Sequence, residues 1–282
     1  MKIGLLNLLL DLYKLGTFKN LENVLDLGSK EIRVSYNDLK YSLNQVNLKI
    51  PDKRFEVLKK FPKGKRISTG NVWKLISKTY SCADINKSHN SIFLDLNKPF
   101  KNKKYLGKFD LVNDFGNNEH VFNVGQAYQT MYDLCKKNGL IWITQSIYGG
   151  NGFFHFDQSF FEGFAAANDL SIIHMAYVIN VGDYKQYLIP CDKDLLKVLN
   201  LNSLENLDIT CLFRKKTDKK FNFYYQYNFD KKNSPFIRTF LNQSYPPEKI
   251  YIPTKNLSEL KKSAIKGDKD AITWLRATGY KI

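Results

Sequence analysis

The feature that constrains the fold most is a short apolar segment that runs directly into a glycine turn. Residues 23–29 read Asn-Val-Leu-Asp-Leu-Gly-Ser, with three large aliphatic side chains in four positions. This pattern predicts a buried parallel strand that ends in a tight turn. Open α/β sheets bind ligands at such strand ends, and a glycine there allows the backbone to approach a ligand closely, because it has no Cβ atom.

Further short apolar runs follow at intervals that suit a sheet of βαβ units. Candidate strands lie at 80–84, 92–95, 108–113 and 140–146, and candidate helices at 68–76, 123–137 and 157–168. Alternation of strands with helices predicts a mostly parallel sheet with right-handed crossovers. Two β-rich runs, 171–181 and 208–214, are expected to finish the sheet as an antiparallel edge.

We therefore predict an α/β fold: a Rossmann-like, seven-stranded, mostly parallel sheet with helices on both faces and a small C-terminal helical and β appendage. Residues 1–214 would form the main domain, and 30–68 would be an insertion. Leucines at helical spacing within 3–16 predict a surface helix with one apolar stripe. Residues 215–282 do not continue the alternation of strands and helices, and their last part is expected to form a helical hairpin. Because one hairpin cannot bury its own apolar face, this extension is expected to dock on the main domain.

Composition limits the classes of partner. The formal net charge is +16, but 37 of the 43 basic residues are Lys and only 6 are Arg, the better reader of phosphate and guanine. A nucleic-acid partner is therefore possible but not favoured. The four cysteines are scattered without paired spacing, which predicts reduced thiols and no zinc motif. No run reaches the roughly 20 apolar residues of a membrane span, so we expect a cytoplasmic protein with no membrane partner.

The order of these segments resembles one known family. The pattern comprises Val24-Leu-Asp-Leu-Gly-Ser29, an acid at Asp84, Asp95, Phe109-Asp-Leu-Val, Glu119-His120, and Asn138-Gly139-Leu-Ile before His155. Over about residues 20–214 it is similar to the class I S-adenosylmethionine-dependent methyltransferases, particularly the small-molecule type. The resemblance implies S-adenosylmethionine as the cofactor and a small-molecule or saccharide acceptor.

Roles for individual residues follow from this resemblance. Asp26, Gly28 and Ser29 would border the methionine end of the cofactor. Asp84 would accept hydrogen bonds from the two ribose hydroxyls, and Asp95 would lie beside the adenine amino group. The last group, expected near the transferable methyl, is Asn113, Asp114, Phe115 and Gly116.

The chain departs from the family pattern in its glycine loop. The loop usually carries two or three glycines, whereas this chain has Gly28-Ser29-Lys30-Glu31. Lys30 would either crowd the pocket or point to solvent. The segment 30–68 also interrupts the usual short passage from loop to helix, and together with the N-terminal helix and the 147–156 loop it would form a lid over the acceptor.

Three residues are candidates for acid–base catalysis. A hydroxyl acceptor has to lose a proton, and His120, Glu119 or His155 could accept it; the unperturbed pKa of histidine, about 6.5, suits this role. No metal motif is present, although Glu119 and His120 could act as a ligand pair. Each residue also has a structural alternative, because Glu119 could stabilise a helix N-terminus and either histidine could be a packing residue.

The three strand-end acids have structural alternatives as well. Asp26 could cap the loop that follows it, Asp84 could be a solvated strand-end acid, and Asp95 could belong to a plain turn.

The functional prediction is methyl transfer from S-adenosylmethionine to a small molecule or saccharide, at oxygen. One alternative is a catalytically silent binding module that kept the fold. The other is an RNA or DNA methyltransferase, against which the fourth strand argues, since no Asn-Pro-Pro-Tyr or Asp-Pro-Pro-Tyr sequence follows it. The oligomeric state cannot be inferred from the sequence.

Overall fold

The structure is a computed structural model that describes residues 1–48, 67–86, 90–181, 185–192, 206–224, 257–268, 271, 272 and 275. The helices within these ranges are α1 Ile3–Lys14, α2 Tyr36–Asn44, α3 Gly70–Ile76, α4 Val124–Leu134, α5 Gln158–Ala167 and α6 Leu257–Ile265. The strands are β1 Leu21–Leu27, β2 Ser77–Asp84, β3 Ile92–Phe93, β4 Phe109–Phe115, β5 Cys135–Tyr148, β6 Leu170–Val181, β7 Lys185–Pro190 and β8 Asn206–Lys215.

All eight strands form one sheet in the order β3-β2-β1-β4-β5-β8-β6-β7. Strands β1 to β5 pair in parallel, whereas β8 is antiparallel to both β5 and β6, and β7 is antiparallel to β6. The predicted mostly parallel, Rossmann-like α/β fold is therefore confirmed.

The described ranges contain eight strands in this sheet, one more than the seven predicted. The additional strand is β7, which pairs with the last half of β6. The runs 171–181 and 208–214 pair antiparallel, as predicted, but neither takes the outermost position of the sheet. Strand β8 is inserted between β5 and β6, where its side chains are buried on both sides, and β7 takes the edge. An interior position explains why Leu207, Ile209 and Phe213 are almost inaccessible.

The hydrophobic core divides into two clusters, as expected for a sheet with helices on both faces. One cluster includes α4 and α5 and extends to Ala264 of α6. The other includes α1, α2 and α3. The expectation of a surface helix at the N-terminus was wrong, since nearly every leucine of α1 is buried. The consecutive leucines 8–10 cover more than one stripe of the helix. Helix α1 also lies against β7, where the Leu5 amide donates to Gln186 Oε1 at 3.2 Å.

An aromatic cluster lies under the carboxyl ends of the strands. Trp142 of β5 stacks on Phe18 at a centroid distance of 5.7 Å and meets Trp73 of α3 edge-on at 6.3 Å. Phe115, the last residue of β4, contacts the same ring edge-on at 5.1 Å. The Trp142 indole donates to Thr210 Oγ1 at 2.8 Å, which ties the cluster to β8. These contacts fix where β4 ends.

The beginning of the predicted C-terminal extension packs on the main body. Phe221 lies edge-on to Tyr132 of α4 at 5.7 Å, and the Tyr224 hydroxyl donates to the Phe160 carbonyl at 2.9 Å. Leu275 is buried in the cluster that also contains α4 and α5. Residues 225–256 and most of the predicted lid, 49–66, lie outside the described residues, so the domain boundary at 214 and the lid stay predictions. No helix within the described ranges is both long and apolar enough to cross a membrane.

Candidate functional site at the carboxyl ends of the strands

The crevice that the sequence predicts lies between β1 and β4. The strand order reverses on the two sides of β1, and ligands bind outside the carboxyl ends of the strands at such a point. Gly28 follows β1 with φ +80°, and its amide donates to the Ala83 carbonyl at 2.7 Å. A Cβ atom at this position would lie 3.1 Å from both Asn117 Oδ1 and Lys30 Cε. A glycine is therefore required by conformation and by space.

Asp84 ends β2 directly beside this turn. Its Oδ2 accepts the Ser29 amide at 2.7 Å, and its Oδ1 accepts the Asn86 amide at 3.1 Å. Partial burial raises the pKa of Asp84, but the hydrogen bonds from Asn86 and Ser29 outweigh this, so the pKa lies below its usual value. The Ser29 hydroxyl and the Ile85 amide also contribute to the lowered pKa, so this carboxylate is held by the residues on both sides of the crevice.

Two exposed apolar side chains accompany Asp84. Ile85 follows it in the chain with 65% of its surface exposed, and Phe93 is its paired neighbour on β3 with 63% exposed. Exposed large apolar groups beside a carboxylate provide a surface for a flat, partly apolar ligand. Neither residue was predicted from the sequence. An apolar residue directly after a strand-end acid could have indicated Ile85.

Asp95 lies close to Asp84 but is committed to its own turn. The Leu94 amide donates to the Asp84 carbonyl at 3.1 Å, which places the turn beside the end of β2. The Asp95 carboxylate accepts the Asn97 amide at 3.0 Å and pairs with Lys98 at 3.0 Å. The hydrogen bond from Lys98 and that from the Asn97 amide lower its pKa. These contacts agree with the structural alternative for this residue.

Asp26 and Asn113 lie beneath the crevice and do not line it. Asp26 is completely buried, and its carboxylate accepts hydrogen bonds from Thr69 Oγ1 at 2.5 Å, Tyr80 OH at 3.0 Å and Asn113 Nδ2 at 2.8 Å. Burial raises the pKa of Asp26, although these three donors oppose the shift. The network joins α3, β2 and β4 under Gly28, so it fixes the shape of the turn.

Asp114 is a second buried carboxylate below the crevice. Its oxygens accept the amides of Asn117 at 2.9 Å and Asn118 at 3.1 Å, and also the side-chain amide of Gln145. Burial raises the pKa of Asp114 to about 7. Gln145 in turn accepts the Glu119 amide through Oε1 at 3.1 Å. Asp114 therefore fixes the path of the chain from β4 to Glu119.

A polar cavity of about 380 Å³ adjoins the crevice on the side of β5 and β8. Its lining includes Ser29, Lys30, Phe115, Gly116, Glu119 and His120, but not Asp84, Asn113 or Asp114. Glu119 is buried and accepts the Ser146 amide through Oε2 at 2.7 Å. Its Oε1 lies 3.6 Å from Nε2 of His120, whose side chain is 45% exposed. The structure thus brings two of the three predicted catalytic residues to one cavity.

His155 is the third predicted catalytic residue, and it does not join them. It is exposed on the loop after β5 and does not line the cavity. The loop itself folds onto the Glu119 backbone, since the Phe153 amide donates to the Glu119 carbonyl at 2.7 Å. A Cβ atom on Gly152 would meet the same carbonyl at 2.7 Å, so this glycine allows the loop to close on the site.

The cavity contains a carboxylate that the sequence did not indicate. Asp208 of β8 lines its wall and accepts Asn180 Nδ2 at 2.7 Å. Gln186 continues the chain of hydrogen bonds, because its Nε2 donates to Asn180 Oδ1 at 2.9 Å. Burial raises the pKa of Asp208 to about 7, opposed mainly by the Asn180 bond. No local motif marks Asp208, since it reaches the cavity only through the insertion of β8 into the sheet.

Comparisons with known proteins are limited to weak structural similarity. The sequence matches no protein-family model and no curated protein. One similar solved structure is the N-methyltransferase NodS from Bradyrhizobium japonicum WM9 in complex with S-adenosyl-L-homocysteine, with TM-score 0.42 and 9% identity over 75% of this chain and 86% of that chain. Another is the 1,6-didemethyltoxoflavin-N1-methyltransferase from Burkholderia thailandensis, with TM-score 0.40 and 12% identity over 75% of this chain and 77% of that chain.

Proposed function

We propose that this protein is an S-adenosylmethionine-dependent methyltransferase that acts on a hydroxyl group of a small polar molecule or saccharide. The observation that carries this proposal is the hydrogen bond of 2.7 Å from the Ser29 amide to Asp84, beside the glycine turn at Gly28. It puts an ionised carboxylate beside the glycine turn in one crevice, at the point where the strand order reverses.

The crevice residues fit a nucleoside. Asp84 is an ionised carboxylate at a strand end, and the two adjacent hydroxyls of a ribose would bind its oxygens, one of them in place of the Ser29 hydroxyl. Hydrogen bonds to an ionised acceptor are each worth about 1.5–3 kcal/mol. Ile85 and Phe93 offer exposed apolar surface for the base at the same strand ends.

The adjoining cavity is the proposed acceptor site. S-adenosylmethionine, when bound, supplies a methyl group on a cationic sulfur, so the work of this chain is to align the acceptor and to remove its proton. His120 is the proposed proton acceptor, and Glu119 orients it from 3.6 Å. General bases contribute typically 10²–10⁴-fold to rate. Amide and carboxylate side chains from β5 to β8 line the cavity together with Lys2, Lys30 and Arg33, which favours an acceptor with several polar groups.

A second candidate function rests on one specific observation. The side chain of Lys30 lies against Gly28, the position where the backbone would approach a cofactor. A binding module that transfers no methyl group has no need for a cofactor at Gly28, so the position of Lys30 would not impair it.

Calorimetry followed by an activity assay separates the two functions. We expect saturable heat when the protein is titrated with S-adenosylhomocysteine, and none with NAD, because the turn lacks the three glycines of a dinucleotide site. We then expect release of S-adenosylhomocysteine from S-adenosylmethionine in the presence of polyhydroxylated acceptors. Binding without release from any acceptor would favour the silent module, and absence of binding at millimolar ligand would refute the proposed cofactor.

His120→Asn and His155→Asn proteins form the matched pair for the catalytic assignment. Both residues are exposed histidines, but only His120 lines the cavity. We expect loss of turnover in the first protein with unchanged binding of S-adenosylhomocysteine, and ordinary turnover in the second. Equal rates in both would remove His120 from the mechanism.

A further inference from the structure

Lys30 forms a bridge between the two loops that border the crevice. Its Nζ donates to the Gly116 carbonyl at 3.1 Å, and its Cε would lie 3.1 Å from a Cβ atom built on Gly28. The side chain therefore runs from the end of β1 to the end of β4, over the glycine. It does not point to solvent, which was one of the two expectations for this residue.

Any ligand that lies against Gly28 has to displace this side chain. Displacement breaks a hydrogen bond from an ammonium group to a neutral carbonyl. A carboxylate on the ligand compensates for the loss, because an ammonium–carboxylate bond is shorter and stronger than one to a neutral acceptor. A ligand without an anionic group at this place gives no compensation.

The spacing of the strands agrees with a ligand that carries such a group. Asp84 ends β2 and Gly116 follows β4, and β1 lies between these two strands. Two strand spacings amount to roughly 10 Å. The homocysteine arm of the proposed cofactor extends beyond its ribose on this scale and ends in a carboxylate.

We propose that Lys30 recognises the carboxylate of the amino-acid end of the cofactor and thereby selects ligands that carry it. This inference rests on the proposed function and adds the residue that distinguishes the intact cofactor from its nucleoside fragments. Lys30 replaces glycine in the loop and supplies a cation where backbone alone would otherwise contact the ligand.

The test compares two ligands that share the nucleoside and the thioether. S-adenosylhomocysteine has the amino-acid end, and 5′-methylthioadenosine does not. Lys30→Met keeps the apolar length of the side chain and removes its charge, so we expect about tenfold weaker binding of S-adenosylhomocysteine, the effect of losing one charge-assisted hydrogen bond. 5′-Methylthioadenosine lacks the carboxylate that compensates for displacing Lys30, so its binding by Lys30→Met is expected to be unchanged or tighter.

Two further variants control for charge and for folding. Lys30→Arg keeps the cation and should retain the preference for S-adenosylhomocysteine. Lys101→Met removes an exposed lysine on the loop before β4 and should leave both affinities unchanged. Unfolding temperatures of all variants, measured without ligand, verify that each protein is folded.

The outcomes are distinguishable. Equal or tighter binding of S-adenosylhomocysteine by Lys30→Met would overturn the inference, and tighter binding of both ligands would identify Lys30 as an obstruction. An equal loss for both ligands would also overturn it, because recognition of the carboxylate would then be absent. If the unaltered protein binds 5′-methylthioadenosine as tightly as S-adenosylhomocysteine, the inference about Lys30 is overturned, while the proposed nucleoside site is retained. If the protein binds neither ligand, the proposed function itself is refuted.

Discussion

Replacement of Asp84 by asparagine is the sharpest test of the crevice. Asparagine has nearly the same shape as aspartate but has no charge and only one acceptor oxygen. In the protein, both oxygens of Asp84 already accept an amide, Ser29 at 2.7 Å and Asn86 at 3.1 Å. The new NH₂ group of Asp84→Asn would therefore face one of these two donors, and the remaining oxygen would have to serve both the protein and the ligand.

The expected loss of affinity follows from these contacts. Two ribose hydroxyls would bind the ionised carboxylate, at about 1.5–3 kcal/mol each, and at least one of these bonds is lost in the variant. Since 1.4 kcal/mol corresponds to a factor of ten, we expect S-adenosylhomocysteine to bind roughly 10–100-fold more weakly. Loss of an amide partner at Ser29 or Asn86 should in addition lower the free energy of unfolding by about 1 kcal/mol.

Calorimetric titration at neutral pH gives the affinity, and thermal unfolding with and without ligand gives an independent measure. A ligand at 100 times its dissociation constant stabilises the folded state by about 2.7 kcal/mol, and this gain should shrink in Asp84→Asn. Glu22→Gln is the matched control, because Glu22 is an exposed carboxylate at the opposite end of β1 that pairs with Lys78 at 2.5 Å. Its affinity should equal that of the unaltered protein.

The pH dependence provides a second check on the same group. Because hydrogen bonds from Asn86 and Ser29 leave the pKa of Asp84 below its usual value, the carboxylate is ionised at pH 6–8. Its contribution to stability is complete above the unfolded pKa, about 3.9, and is lost as pH falls through the lower folded value. Affinity that is unchanged in Asp84→Asn, or that falls between pH 8 and 6 through this residue, would refute the role of the carboxylate.

Three further predictions concern the residues around the crevice. Gly28→Ala should lower the free energy of unfolding by about 1–2 kcal/mol, measured by urea titration, because φ is +80° there and the new Cβ would crowd Lys30. Burial raises the pKa of Asp208 from 3.8 to about 7, so this group makes the protein less stable as pH rises from 4 to 7, by at most about 4 kcal/mol at 1.36 kcal/mol per pKa unit. Unfolding temperatures of Asp208→Asn should therefore change less between pH 5 and pH 8 than those of the unaltered protein. Trp142→Phe should lower the free energy of unfolding by roughly 1 kcal/mol more than Trp73→Phe, because the Trp142 indole donates a hydrogen bond to Thr210, whereas the Trp73 nitrogen has no partner among the described residues.

The parts of the fold that the sequence predicted are those with local patterns. The strand at 23–27 and its glycine turn were predicted because apolar residues and a glycine stand next to each other in the chain. Strand β5 was predicted because a run such as Leu140-Ile-Trp-Ile has no polar face, as in a central parallel strand. Helix α5 was predicted within one residue at each end, and its Asp157 cap accepts the Ser159 amide at 2.8 Å.

The parts that the sequence did not predict depend on tertiary pairing. Strand β7 is short and becomes a strand by pairing with the end of β6, so its apolar residues could equally belong to a loop. The burial of α1 depends on the same strand, because Leu5 and Gly4 pack against Gln186. Lys30 could not be oriented from the sequence either, since its partner, the Gly116 carbonyl, is 86 positions away.

Only part of the candidate site could be predicted from the sequence, for the same reason. The positions at the ends of β1, β2 and β4 were recognisable as strand ends, and Gly28, Ser29 and Asp84 do lie together. Exposure could not be read from the sequence. Asp26 and Asp114 have the same local appearance as Asp84, yet both are completely buried and support the crevice from below.

Three carboxylates at the carboxyl end of the sheet are held there at a cost in the free energy of folding. Asp26, Asp114 and Asp208 are all desolvated there, and burial raises the pKa of each. A buried carboxylate costs free energy of folding unless its surroundings compensate fully, and raised pKa values mean that compensation is incomplete. At the amino end, by contrast, Asp110 is compensated by an ion pair with Lys136 and a 2.8 Å bond from the Asn23 amide. Burial also raises the pKa of Asp133, whose carbonyl accepts the Gly107 amide near the start of β4, so a raised pKa supports a functional site only where the groups also lie around a crevice and a cavity, as Asp26, Asp114 and Asp208 do.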